Sequence, residues 1–162
     1  MIGIVHIYIS PGHNFFGHYG QPAGKNPVLE VAEVECVANR GLRGDRFFDY
    51  KENYAGQVTF FSWETYQNLC QTLHVQDKSP AVFRRNVITR GVELNSLAGK
   101  EFEIQGICFF GVSECSPCYW MDEAFAPGAD ELLHRNGGLR ARILNSGTLR
   151  VTAELFGRSA YE

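Results

Sequence analysis

Short runs of apolar residues, broken by turn chemistry, set the pattern of this chain. Ile2–Ile9 is apolar on both faces apart from His6, which predicts a strand with neither side open to water. Val28–Val37 alternates apolar and acidic positions (Leu29, Val31, Glu33, Glu35) and predicts a second strand, and Gln57–Phe61 a short third. Ser62 then stands where it can cap a helix carrying Trp63, Tyr66, Leu69, Cys70 and Leu73 on one stripe. Ser79-Pro80 breaks that helix. Val87–Thr89 and Glu101–Val112 are further strand candidates, separated by the turn-like Asn95–Lys100. A short helix is expected from about Pro127 to Arg135, stopped by Asn136-Gly137-Gly138. Leu139–Leu144 and Thr148–Phe156 read as a hairpin about Asn145-Ser146-Gly147, the second strand alternating Leu149, Val151, Ala153 and Leu155.

Six or seven strands joined mostly by turns favour a barrel over a parallel, doubly wound sheet. The expected fold is therefore mostly β, a closed or partly open barrel with a few short helices. Twelve Phe, seven Tyr and two Trp supply the rings such a core needs. With 162 residues and no repeat, linker or low-complexity tract, one domain is expected over 1–162, its core over about 1–156. The one long connector is Ser10–Pro27, rich in Gly, Pro and Asn, with His13 and His18 flanking Phe15-Phe16. Those histidines either serve a site as acid or base or simply cap turns.

Charge narrows the partners. Fifteen basic and eighteen acidic residues leave a formal −3, so no global basic field draws the chain to nucleic acid. The longest apolar runs are about half a bilayer span, and residues 1–9 lack a signal peptide's basic start and cleavage site. A cytoplasmic protein, with no membrane partner, is the expectation. Five cysteines, an odd number, point to free thiols rather than a disulfide framework.

Two kinds of residue carry possible chemistry. Cys115-Ser116-Pro117-Cys118 follows an apolar strand, where a thiolate can meet both solvent and neighbouring cations. By itself the spacing leaves three readings open: half of a zinc site, a redox pair, or two thiols that only fill space. No second C-x-x-C is present to complete four zinc ligands, and no βαβ frame is evident around the pair. The second kind is arginine. Arg43 and Arg46 flank Asp45 in Gly41–Arg46, Arg84-Arg85-Asn86 precedes a strand, and Arg140 and Arg142 share a strand face. Guanidinium forks beside glycine-rich turns suit phosphate or carboxylate, although a plain ion pair explains any one cluster as well.

Taken together, Gly41–Arg46, Phe83–Lys100 (including Arg84-Arg85-Asn86 and Leu97-Ala98-Gly99), Cys115–Cys118 and Gly137–Gly147 resemble the MOSC domain family. That family is named after the C-terminal domain of molybdenum cofactor sulfurases. The resemblance spans about residues 1–156 and implies a β-barrel with one family cysteine in its cleft, matching Cys118. It implies association with the molybdenum cofactor (molybdopterin), with Cys118 as molybdenum ligand or persulfide carrier and Cys115 as a resolving thiol. Some members reduce N-hydroxylated compounds. Arg85 and Asn86 match the family's anion-binding positions, with Arg84, Arg43, Asp45, Arg46 and Arg140 as further cofactor-binding candidates. The chain shows neither the extra N-terminal barrel of the longer reductases nor the pyridoxal phosphate domain of the sulfurases. An electron donor or a cysteine desulfurase is then the implied partner. The alternative is a small-anion binding or docking module without chemistry.

Overall fold

The structure, a computed structural model, describes residues 1–12 and 26–152. A seven-stranded sheet dominates these residues. Its strands, in spatial order, are β2 (Leu29–Glu30), β1 (Gly3–Ile9), β6 (Val87–Arg90), β5 (Val58–Ser62), β9 (Leu139–Ile143), β8 (Ile107–Glu114) and β7 (Glu101–Ile104). Every pair is antiparallel except β5–β6. A parallel pair needs a crossover, and α1 (Trp63–Leu73) supplies it. Ser62 caps that helix, its hydroxyl accepting from the Thr65 amide at 3.1 Å.

A second sheet holds β10 (Gly147–Arg150), β3 (Glu33–Val37) and β4 (Gly41–Leu42). The main core lies between the two sheets, with Ile4, Ile7, Phe60, Phe109 and Ile143 from one meeting Val34, Cys36, Leu42 and Leu149 from the other. The opposite face of the large sheet is covered by α1, the single turn Pro80–Phe83, α2 (Trp120–Ala124) and α3 (Ala129–Leu132). There Val5, Tyr8, Phe61 and Ile88 pack on Leu69, Phe83, Met121, Phe125 and Leu133. Burial on both faces is why β1 and β5 read as continuous apolar runs.

Three sequence expectations change. Val28–Val37 is two strands in two different sheets, because the segment between Glu30 and Glu33 turns from β1 towards β10. Glu101–Val112 is a tight hairpin, not one strand. Gln105 and Gly106 both take positive φ (54° and 81°), the geometry of the two-residue turns that match strand twist. Leu139–Leu144 and Thr148–Phe156 are not a hairpin: β9 pairs with β5 and β8, while β10 pairs with β3. Residues 153–156 lie outside the described residues. As for the barrel, the fold is mostly β with few short helices, but among the described residues no ladder joins the edge strands β2 and β7.

Candidate functional site

The end of β8 and the start of β9 fix the cysteine loop. The Cys115 amide donates to the Gly138 carbonyl at 2.8 Å, just before β9 begins. This crossing requires glycine on the β9 side. A Cβ on Gly137 would lie 2.0 Å from the Cys115 carbonyl oxygen and 3.0 Å from Pro117 Cδ. Gly138 takes φ +110°, and a Cβ there would lie 2.3 Å from the Phe60 carbonyl oxygen. Cys115 is buried, and burial pushes its thiol pKa up, while Arg85 and Arg140 pull it back down. Cys118 is half-buried at the mouth of α2, where its carbonyl accepts from the Met121 amide. All five cysteines are free thiols. Iodoacetamide at neutral pH is therefore expected to alkylate Cys118 well before Cys115, as peptide mass spectrometry over a time course will show.

The arginines sort into different jobs. Arg84 ends the turn Pro80–Phe83 at φ 57° and is buried, its guanidinium donating to the Ser10 hydroxyl (2.7 Å) and the Gly12 carbonyl (3.1 Å). Burial, then the neighbouring Arg46, brings its pKa down to about 10. Asp45 is buried as well and accepts from the Ser10 amide (3.0 Å), the Phe47 amide (3.3 Å) and Arg46 (3.2 Å). Arg46 reaches on to the Arg84 carbonyl at 3.3 Å and lies over the Phe47 ring. Asp45, Arg46 and Arg84 thus tie the end of β1 to the turns after β4 and before β6.

Arg85 points towards the cysteine loop, donating to the Gly137 carbonyl (2.9 Å) and the Phe83 carbonyl (3.2 Å). Arg140, on β9, is the register partner of Thr59 on β5 and Ser113 on β8, and its guanidinium lies 5.4 Å from the Tyr54 ring centre. Among the described residues it has no carboxylate partner. Arg46 neighbours both Arg84 and Arg85, and of these arginines Arg85 and Arg140 are the ones that lie near Cys115.

Two candidates stand apart. Arg43 pairs with Glu35 in the small sheet at 2.6 Å, both side chains exposed. Asn86 is 2 % exposed, and its side chain is bonded at both ends. Its Oδ1 accepts from the Thr59 amide and hydroxyl (3.0 and 3.1 Å), and its Nδ2 donates to the Tyr8 carbonyl at 3.1 Å. Asn86 straps β1 to β5.

The MOSC domain profile matches residues 39–155, most of the chain, including the cysteine loop and the arginine-bearing turns after β4 and before β6. The chain belongs to the MOSC domain family. Solved structures agree on the fold. The YUAD protein from Bacillus subtilis superposes with a TM-score of 0.71 at 15% identity, covering 93% of this chain and 92% of its own. YiiM from Geobacillus stearothermophilus gives 0.63 at 13% identity, covering 93% and 71%. YiiM from Escherichia coli gives 0.58 at 20% identity, and here the match spans 75% of this chain and 60% of that one. No curated protein matches the sequence.

Within this MOSC chain, Arg85 and Arg140 lie near Cys115 at one end of the large sheet, and Cys118 follows on the same loop. Among the described residues no three His, Cys, Asp or Glu side chains form a metal-binding group. His13 and His18 lie outside the described residues. No helix among the described residues is long and apolar enough to cross a membrane. Tyr54, whose ring centre lies 5.4 Å from the Arg140 guanidinium, has no motif of its own. The only signal was the aromatic–basic density of Phe47-Phe48-Asp49-Tyr50-Lys51-Glu52-Asn53-Tyr54.

Proposed function

We propose that this protein is associated with the molybdenum cofactor, with Cys118 as the sulfur group that meets it and Arg85 and Arg140 holding the pterin phosphate. The observation that supports this reading is the convergence of two arginines, from segments far apart in sequence, on the loop that carries Cys118. The donor set suits the group. A half-exposed thiol is a soft ligand of the kind molybdenum takes, and guanidinium forks match phosphate oxygens. When bound, the cofactor supplies a redox centre for reducing N-hydroxylated compounds, with electrons from a separate donor.

The chain's own residues do the rest. Arg85 is anchored on the Gly137 and Phe83 carbonyls and so places its remaining N–H groups without further ordering. Cys115 keeps its proton in the wall of the site, which leaves Cys118 as the reactive thiol. The two sheets around one core read as a partly open barrel with this loop at its rim.

Exposure of Cys118 also favours a second role, sulfur carriage from a desulfurase partner. The Cys118 thiolate attacks the terminal sulfur of a donor persulfide, forming Cys118–S–SH as the donor's S–S bond breaks and the donor leaves as thiolate.

Elemental analysis of protein from a cofactor-competent host, with sulfane-sulfur assay of the same sample, tests the reading. Molybdenum or transferable sulfur is expected at close to one equivalent and should vanish in Cys118→Ala. Full retention in that variant, or neither species in the wild type, leaves the non-catalytic anion-binding module as the surviving account.

A further inference from the structure

The crossover between β5 and β6 leaves a cleft. Where strands run parallel, ligand crevices form beyond their carboxyl ends, at the point where neighbouring connections diverge. β5 and β6 are the parallel pair, and β9 flanks β5 on its other side. Beyond this end of the sheet, the first turns of α1, residues 91–93 and Asn136 surround a cleft of about 420 Å³. That volume is in the range of small-molecule sites. Part of its wall is apolar, with Leu69 buried and Val92 half-buried.

The charge lining the cleft is of one sign. Glu64 and Glu93 both face it, and no Lys, Arg or His among the described residues lines it. Neither carboxylate has an ion-pair partner among the described residues. Both are nevertheless held in place. Glu64 accepts from the Gly91 amide at 2.8 Å and from the Ser62 hydroxyl at 3.1 Å, which fixes it against the chain two residues before Glu93. Glu93 accepts from the Asn95 amide at 3.4 Å. A cleft lined by one sign of charge focuses the field and concentrates the opposite ion. Fixed carboxylates with lone pairs to spare, beside an apolar wall, match a cationic head on an apolar body.

We infer that this cleft is a binding site for a small organic cation, an amidinium or ammonium head on an apolar body. Asn136 and Gly138 line it and bracket Gly137, whose carbonyl anchors Arg85, so the cleft backs onto the cysteine loop. Binding here needs neither Cys118 nor molybdenum.

Titration of the full chain with benzamidine at neutral pH and low ionic strength, followed by backbone amide chemical shifts, tests this. Benzamide serves as the neutral isostere and benzoate as the anionic one. Benzamidine is expected to give saturable shifts centred on residues 62–69, 91–95 and 136–138. Benzamide should bind at least about tenfold more weakly, and benzoate should give no shifts there. Glu64→Gln and Glu93→Gln should each weaken benzamidine binding about fivefold, because each removes one charge-assisted contact. Glutamine keeps an acceptor oxygen for the Gly91 or Asn95 amide, so both variants should unfold at the wild-type midpoint. Glu103→Gln makes the same charge change on β7, away from the cleft, and should bind like the wild type. Cys118→Ser should do so as well, which separates this site from any metal or sulfur chemistry. Absence of benzamidine binding, equal binding of benzamide, shifts centred elsewhere, or wild-type affinity in either Glu64→Gln or Glu93→Gln overturns the proposal.

Discussion

Asn86→Ala is expected to lower the stability of the folded chain by about 3–5 kcal/mol, the usual scale for breaking a buried hydrogen-bond network. The side chain makes three hydrogen bonds, two to Thr59 and one to the Tyr8 carbonyl, in a place that is 2 % exposed. Alanine leaves the Thr59 amide and the Tyr8 carbonyl without that partner, and little water can reach them. Each such orphan costs roughly 1–3 kcal/mol. The backbone of Asn86 also bonds β1 and β5, through the Tyr8 amide at 2.7 Å and the Thr59 carbonyl at 3.2 Å, so the damage sits where three strands meet. For a chain of this size the loss corresponds to a fall of about 10 °C in the unfolding midpoint. Calorimetry or circular dichroism reads it directly. If Asn86 were an open anion ligand, the midpoint would hardly move and phosphate affinity would fall. The structure predicts the opposite pattern: a large loss of stability, with the folded fraction binding phosphate normally.

Asn86 also shows what the sequence could and could not carry. Arg-Arg-Asn before a strand is legible as a motif, yet the motif does not say which of its members faces solvent. That depends on Arg84 adopting φ 57°, which turns its side chain towards Ser10 and leaves Arg85 aimed at Gly137. Periodicity found α1 and its Ser62 cap because a stripe of apolar residues and a capping hydroxyl are local features. It found β1 and β5 because strands buried on both faces are continuously apolar. It misjudged the pairing of β9 and β10, because the Asn145–Gly147 turn looks the same whether the next strand folds back or crosses to another sheet. Cys36, Val34 and Leu149 share a core with Ile107 and Phe109 only through that crossing. Strand order is a long-range property, and turn chemistry constrains only its neighbours.

The candidate site divides the same way. Cys118 and Arg85 stand out as candidates from motif and resemblance, whereas the placing of Arg140 over the Tyr54 ring is a cation–ring geometry that spacing cannot encode. The burial of Cys115 is likewise something no C-x-x-C pattern reports.

Gly137→Ala carries the second large expected effect, because it strikes the cysteine loop without touching a thiol or a charge. The added methyl would lie 2.0 Å from the Cys115 carbonyl oxygen and 3.1 Å from the Pro117 nitrogen, and both are backbone atoms that no rotamer change can move. Relief requires the loop to shift as a unit, and the pyrrolidine ring of Pro117 restricts how it can do so. A shift of that size breaks the Cys115 amide bond to Gly138 and pulls the Gly137 carbonyl off Arg85. Overpacking of this kind costs about 1–3 kcal/mol, and the lost hydrogen bonds add about 1 kcal/mol each. Two readouts should change together. The unfolding midpoint falls by several degrees, and Cys115, no longer sealed in the wall, becomes alkylated at a rate approaching that of Cys118. Retention of molybdenum or sulfane sulfur should fall with them, although Cys118 itself is intact. A variant that unfolds earlier but keeps Cys115 protected would mean that the strain is absorbed elsewhere, and that the Gly137–Cys115 crossing is not what holds the thiol in place.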